Sequence, residues 1–339
     1  MKRPLAHLTR RACGGAAVLL GAMLTTALPA AAQPADQSAP QDSHQLQEVR
    51  VTASKFDRRT LKRVAIQFVK LHGAVSPVLH QIGRWQADVC PRVTGLNPTA
   101  SAFVSRRVQE VARRVGAPTG RIGKRCVANV EIVFTPEPQQ LLNHIAQAYP
   151  RLLGSSRSAG DATFRQAIQS WYLTGTKSVE GPHWALGHAG AILPNYDAPT
   201  EAAWGTSRLP DGAYVDAPNG KGYAPRGLAG QFTKGLASEL VHVLVIVDTR
   251  KVAGDSLRSI SDYIAMLALT RMGSLDACSE LPSIIDLLSS GCDARDKPQA
   301  LTDADTAYLK ALYSSDLEMN LNIEQVDMRD RMVMSITGR

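Results

Sequence analysis

Once past its first thirty or so residues, the sequence has no apolar run approaching the roughly 20 residues that span a bilayer as a helix, so no transmembrane segment is expected in the mature chain. Several catalytic signatures are also missing. No H-E-x-x-H occurs, no G-x-S-x-G elbow, no P-loop, and no G-x-G-x-x-G between a strand and a helix. Metal-dependent proteolysis, serine hydrolysis and nucleotide binding therefore have no local anchor. Aromatic residues make up only 5% of the chain. They are unevenly spread: Trp171, Tyr172, Trp184, Tyr196, Trp204, Tyr214 and Tyr223 all fall within one stretch.

The N-terminus carries a targeting pattern. Lys2, Arg3, Arg10 and Arg11 come first, with no acid, followed by an apolar centre from Ala12 to Leu28 and then PAAAQPADQ. This is a secretory signal, with cleavage expected after Ala32. The whole chain holds 38 Lys and Arg against 30 Asp and Glu. Removing the four basic residues of the signal leaves 34 against 30, an excess that gives no basis for nucleic-acid binding. The expected location is the periplasm or the exterior of a bacterial cell.

Cysteine usage fits that compartment. Apart from Cys13 in the signal, the cysteines are Cys90, Cys126, Cys278 and Cys292, an even number compatible with disulfides in an exported chain. Nearness in sequence favours Cys90–Cys126 and Cys278–Cys292. A four-cysteine zinc site is disfavoured because no C-x2-C pair is present.

The chain divides into residues 1–32 (signal), 33–55 (a polar, disordered leader ending in a strand-like EVRVTAS), 56–150, 151–237 and 238–339. In 56–150, helical spacing over 61–77 precedes a strand expected at 84–93. Next comes an amphipathic helix over ASAFVSRRVQEVARRVG, capped by Asn97 or Thr99 and stopped by Gly116. Its arginines, Arg106, Arg107, Arg113 and Arg114, read as a solvated face, the alternative being an anion-binding one. A buried strand at 126–135 and a helix at 138–149 complete a βαβ-like unit. Residues 151–237 are irregular: an amphipathic element at 165–176 precedes a long Gly- and Pro-rich stretch with PDG and PNG turns, and DGAYVDAPNGKGYA reads as a hairpin. In 238–339, ELVHVLVIVDTR is a central strand. Helices follow at 256–273, 282–290, 301–315 (with a capping-box arrangement of Thr302 and Asp305) and 317–334. The fold class expected is α+β or α/β: a mixed sheet with packed helices, a helical C-terminal portion and two local disulfides.

Candidate chemistry is sparse. Of eight histidines, His183, His188 and His242 are the least unfavourable metal ligands, and His242 reads as a core histidine within a strand. Asp248 ends the strongest strand, a position that often carries function in α/β proteins, or else opens a turn. Asp262 interrupts an apolar helix face, as a buried acid or as a partner for Arg258 one turn away.

Two resemblances add to this reading. EVRVTAS (48–54) resembles the energy-coupling box of TonB-dependent outer-membrane transporters, although no plug and barrel follow. It reads as a chance match or as a short docking strand. The strand VLVIVD, the helix ISDYIAMLAL, then PSIIDLL and LTDADTAYLKALYSSDLEM, together with CPRVTGL and CVANVEIVFT, resemble a family of uncharacterised bacterial exported proteins. That family bears a domain of unknown function related to zincin-type metallopeptidases. Where it tends to place a Glu and a polar partner, this chain has Ser261-Asp262-Tyr263-Ile264-Ala265. The resemblance therefore implies a descendant without the peptidase motif.

The expectation is an exported soluble protein that acts without catalysis, as a binding or envelope-associated module for an unidentified envelope protein or ligand. No cofactor, catalytic residue or metal ligand is assigned. Trp171, Tyr172, Trp184, Trp204 and Tyr214 form the candidate binding surface. The alternatives are a divergent or degenerate zincin-like metallopeptidase or hydrolase, and an accessory to TonB-dependent transport.

Overall fold

The strong apolar strand of the C-terminal portion is the centre of the architecture. In the computed structural model it runs from Leu236 to Asp248 (β5), and the strands of the preceding portions gather on either side of it. The structure describes residues 56–76, 79–120, 126–153, 163–178, 214–215, 236–276, 278–293, 297–317 and 319–338. All of these fall within one compact unit, Gln47–Arg339. The signal, the leader with EVRVTAS, and all but residues 214–215 of the expected hairpin DGAYVDAPNGKGYA lie outside the described residues.

On one side of β5 lie β2 (Val130–Thr135) and then β1 (Pro91–Thr94), both parallel to it; on the other lie antiparallel β3 (Ile168–Ser178) and the two-residue β4 (Tyr214–Val215). The sheet is mixed, with order β1-β2-β5-β3-β4. Helix α2 (Pro98–Val115) links β1 to β2 as the βαβ pattern requires. Asn97 caps it by accepting from the Ala100 N–H at 2.9 Å. Gly116 ends it with φ 85°, a left-handed conformation that glycine adopts without a Cβ penalty.

Three segments take a form other than, or more definite than, the one expected. The strand at 84–93 is reduced to Pro91–Thr94, with Arg84 making only an isolated bridge to Glu239. Residues 165–176, expected only as a short amphipathic element, supply most of β3, a strand paired along β5, because the long apolar edge of β5 offers it backbone partners. The remaining helices are α1 (Arg58–His72), α3 (Pro138–Ala148), α4 (Leu257–Leu269), α5 (Asp303–Ser314) and α6 (Leu321–Thr337). The helix expected at 282–290 is a 3-10 turn, Ile284–Leu288. Both disulfides form as paired, Cys90–Cys126 and Cys278–Cys292, each with 5.7 Å between Cα atoms.

One face of the sheet carries α1, α2, α4, α5 and α6 over the main core. The other carries α3 and the turn Pro150–Leu153, whose Leu142, Ile145 and Leu153 pack on Trp171, Leu244 and Ile246. Helix α4 is buried at every position from Ser259 to Leu269, so its polar residues Ser259, Ser261 and Asp262 lie in the interior with its apolar ones. Burial leaves the carbonyls of its last turn out of water, so side chains must satisfy them. Tyr172 Oη donates to Leu267 O at 3.0 Å, Trp85 Nε1 to Ala268 O at 2.7 Å, and Tyr313 Oη to Leu269 O at 2.7 Å. Three aromatics from three separate segments thus hold one helix end.

Candidate functional site

Most of the deeply buried charges serve the architecture. Asp262 is fully buried on α4 and pairs with Arg107 of α2, which reaches it through Nε at 2.5 Å and Nη2 at 3.1 Å. The Leu301 N–H donates to the same carboxylate at 3.1 Å. This corrects two sequence readings: Asp262 is matched by Arg107 instead of Arg258, and Arg107 does not belong to the solvated face of α2. Arg84 and Glu324 form a second buried pair at 2.5 Å. The same guanidinium donates to Leu312 O at 2.6 Å and Ser315 O at 2.8 Å, covering the C-terminal carbonyls of α5. Burial pushes the Glu324 carboxyl above its usual range, against the pull of Arg84.

Asp248 opens a turn. Burial opposes its ionisation, but the Arg250 side chain and the Arg250 N–H at 3.0 Å outweigh it and hold the carboxyl below its usual range. His72, stacked on Phe68 and bonded through Nδ1 to Phe68 O at 2.9 Å, is pushed down to about 4 by burial. It is a neutral core histidine.

The part-open polar groups converge elsewhere, near the N-terminal ends of the parallel strands. Arg92 of β1 lies beside Glu131 of β2, which lies beside Leu244 of β5, so the three share the α3-side face. His242 stands two residues before Leu244. Arg92 bonds to Glu131, and His242 Nε2 is 3.8 Å from Glu131 Oε1. The side chains are 59%, 25% and 14% exposed, so the strip runs from solvent at Arg92 into the sheet at His242. Burial lowers the His242 pKa although Glu131 pulls it up, and His242 Nδ1 has no hydrogen-bond partner among the described residues. At the same end of β1 and β2, a hollow of about 310 Å³ is lined by Asp88, Asn129, Val127 and the Cys90–Cys126 disulfide. Val127 is 86% exposed there.

The sequence-derived contact surface is redrawn. Trp171 is 7% exposed within the α3-side core, and Tyr172, on the adjacent position, turns to the other face to hold α4. Burial pushes its hydroxyl up to about 12. Both are packing aromatics, because alternation along β3 sends each to a core. Tyr214 lies in β4, opposite Thr176. Trp184, Trp204, His183 and His188 lie outside the described residues. Among the described residues, no three His, Cys, Asp or Glu side chains are grouped to hold a metal ion.

The sequence reading missed Arg92 and Glu131, although the alternation in VEIVFT places Glu131 on the face opposite Val130 and Ile132. It also missed Glu324 and misassigned Arg107, which fall inside the apolar stripes of their helices: Arg107 among Val104, Val108 and Val111, and Glu324 in line with Met328 and Met332. A charge in such a stripe signals a buried partner. Compared with family models, curated proteins and solved structures, the chain matches none.

Proposed function

We propose that this chain is an exported binding or envelope-associated module that acts without catalysis, contacting its partner through the N-terminal end of its parallel strands. The observation that carries the reading is the division of charge. The buried ion pairs tie helices together, whereas Arg92, Glu131 and His242 lead from solvent onto a sheet face beside a hollow and the exposed Val127. Polar groups converging beside a concave, part-apolar surface are the ordinary composition of a recognition site.

Export rests on the signal-like N-terminus, and both disulfides and the lack of a membrane-crossing helix among the described residues are consistent with it. The resemblance to zincin-type relatives fits a descendant without peptidase chemistry. Asp262, in the stretch where that family tends to carry a Glu, is sealed from solvent by Arg107 and the Leu301 N–H and could reach neither metal nor substrate without unfolding the pair.

Site-specific photo-crosslinking in the native envelope tests this. A crosslinker at position 92 or 127 should give one discrete adduct, absent when it is placed at Arg113 on the exposed face of α2. Equal labelling from all three positions, or none from 92 and 127, contradicts the assigned surface.

A further inference from the structure

Two side-chain caps in the C-terminal portion are built into each other. In the first, the Ser283 N–H donates to Asp286 Oδ2 at 2.9 Å, and Ser283 Oγ accepts from the Ile285 N–H. In the second, the Thr302 N–H donates to Asp305 Oδ2 at 2.9 Å and the Asp305 N–H to Thr302 Oγ1 at 3.0 Å. The two are joined directly. Ser283 Oγ donates to Asp305 Oδ1 at 2.6 Å, the Ile284 N–H donates to Asp305 Oδ2 at 2.8 Å, and Thr302 Oγ1 lies 2.8 Å from Pro282 O.

The cluster is buried, and it is short of protons. Asp305 is fully buried and Asp286 is 4% exposed. Asp305 receives Ser283 Oγ–H and two backbone N–H groups, which suit an ionised carboxylate. Asp286 receives only the Ser283 N–H, and its Oδ1 is buried without a partner among the described residues. An anionic oxygen in that position forfeits its hydration with nothing in return. The groups facing Asp286 add one cation: Asp305 from α5, Lys297 from the stretch before it, and Tyr263 from α4, which also senses Asp276. Asp262, bonded to Leu301 next to the second cap, is already matched by Arg107.

We propose that these interlocked caps form a proton-held clamp, in which one proton seated on Asp286 Oδ1 keeps the two buried carboxyls together and its loss loosens the Ile284–Leu288 turn from the start of α5. Burial acts in the same direction on both groups, pushing each up to about 6. An unfolded Asp releases its proton near pH ~3.9. The folded chain therefore holds a proton that the unfolded chain has lost between about pH 4 and 6. The stabilisation is full at the acid end of that window and disappears as pH rises through it. Each retained proton changes the opening equilibrium by up to about tenfold per pH unit. A protein of the cell envelope would thereby grip this segment more tightly on acidification.

Hydrogen exchange on the disulfide-intact chain, corrected for intrinsic rates, tests the clamp between pH 4.5 and 7.5. Protection across 283–293 and 297–305 should fall about tenfold or more from pH 4.5 to 7, with β5 as the reference. Asp286→Asn, neutral at every pH, should cut that difference to the part Asp305 alone supplies and leave the segment better protected than wild type at pH 7. Unchanged pH dependence in the variant overturns the proposal. If the variant does not fold, carboxyl titration of the wild-type chain by carbon NMR decides. An Asp step near pH 6 supports the clamp, and all Asp titrating below pH 5 overturns it.

Discussion

Replacing Arg107 with Ala should be among the most damaging single changes outside the apolar core. The guanidinium makes two bonds to Asp262, at 2.5 and 3.1 Å, with 11% of the Arg107 side chain and none of the Asp262 side chain exposed. Without it, the carboxylate keeps, among the described residues, only the Leu301 N–H and remains in a low-dielectric interior between α2 and α4. Removing one partner of a buried pair costs about 3–5 kcal/mol, most of it the penalty on the charge left behind. With a urea slope of about 3 kcal/mol/M, the midpoint should fall by about 1 M or more. The double variant Arg107→Met, Asp262→Leu removes both charges together and should recover most of the loss. Urea unfolding of the wild type and the two variants, followed by circular dichroism, measures this. A loss below 1 kcal/mol for Arg107→Ala, or a double variant no better than the single, would refute the view that this pair carries the α2–α4 junction.

Three further outcomes follow from the same geometry. Replacing Cys278 and Cys292 together by Ser should cost about 3 kcal/mol, read by denaturant unfolding, since the bridge closes a loop with a sequence separation of 14. Gly95 has φ 85° and a Cβ there would stand 1.9 Å from Phe134 O, so Gly95→Ala should cost more than the 1–2 kcal/mol of the left-handed conformation alone and lower the thermal midpoint. His72, held down to about 4, should make the chain lose up to about 3 kcal/mol as pH falls from 6.5 to 4, because the unfolded chain takes up a proton that the folded chain refuses. His72→Leu should remove that component from stability measured against pH.

The sequence makes the parallel half of the fold readable for a local reason. Val130–Thr135 and the β5 run are apolar and β-branched, Asn97 and Gly116 mark the ends of α2, and the Thr302–Asp305 box marks the start of α5. Each signal lies within a few residues of what it specifies. β3 escapes that logic: its period is ambiguous, and it becomes a strand because β5 supplies a partner about seventy residues away. The aromatics mislead for a related reason. Trp171 and Tyr172 look like neighbours on one surface, yet strand alternation separates them onto opposite faces. The strip of Arg92, Glu131 and His242 requires the register of three strands, which no spacing in the chain encodes.

The most direct test is to measure metal content and free thiols on mature protein recovered from the periplasm without a histidine tag. Substoichiometric metal, no free thiol and cooperative unfolding are the predicted results for a disulfide-braced binding module. Stoichiometric zinc that is lost on His242→Ala, together with peptide cleavage that disappears in the same variant, would contradict it and establish a metallopeptidase.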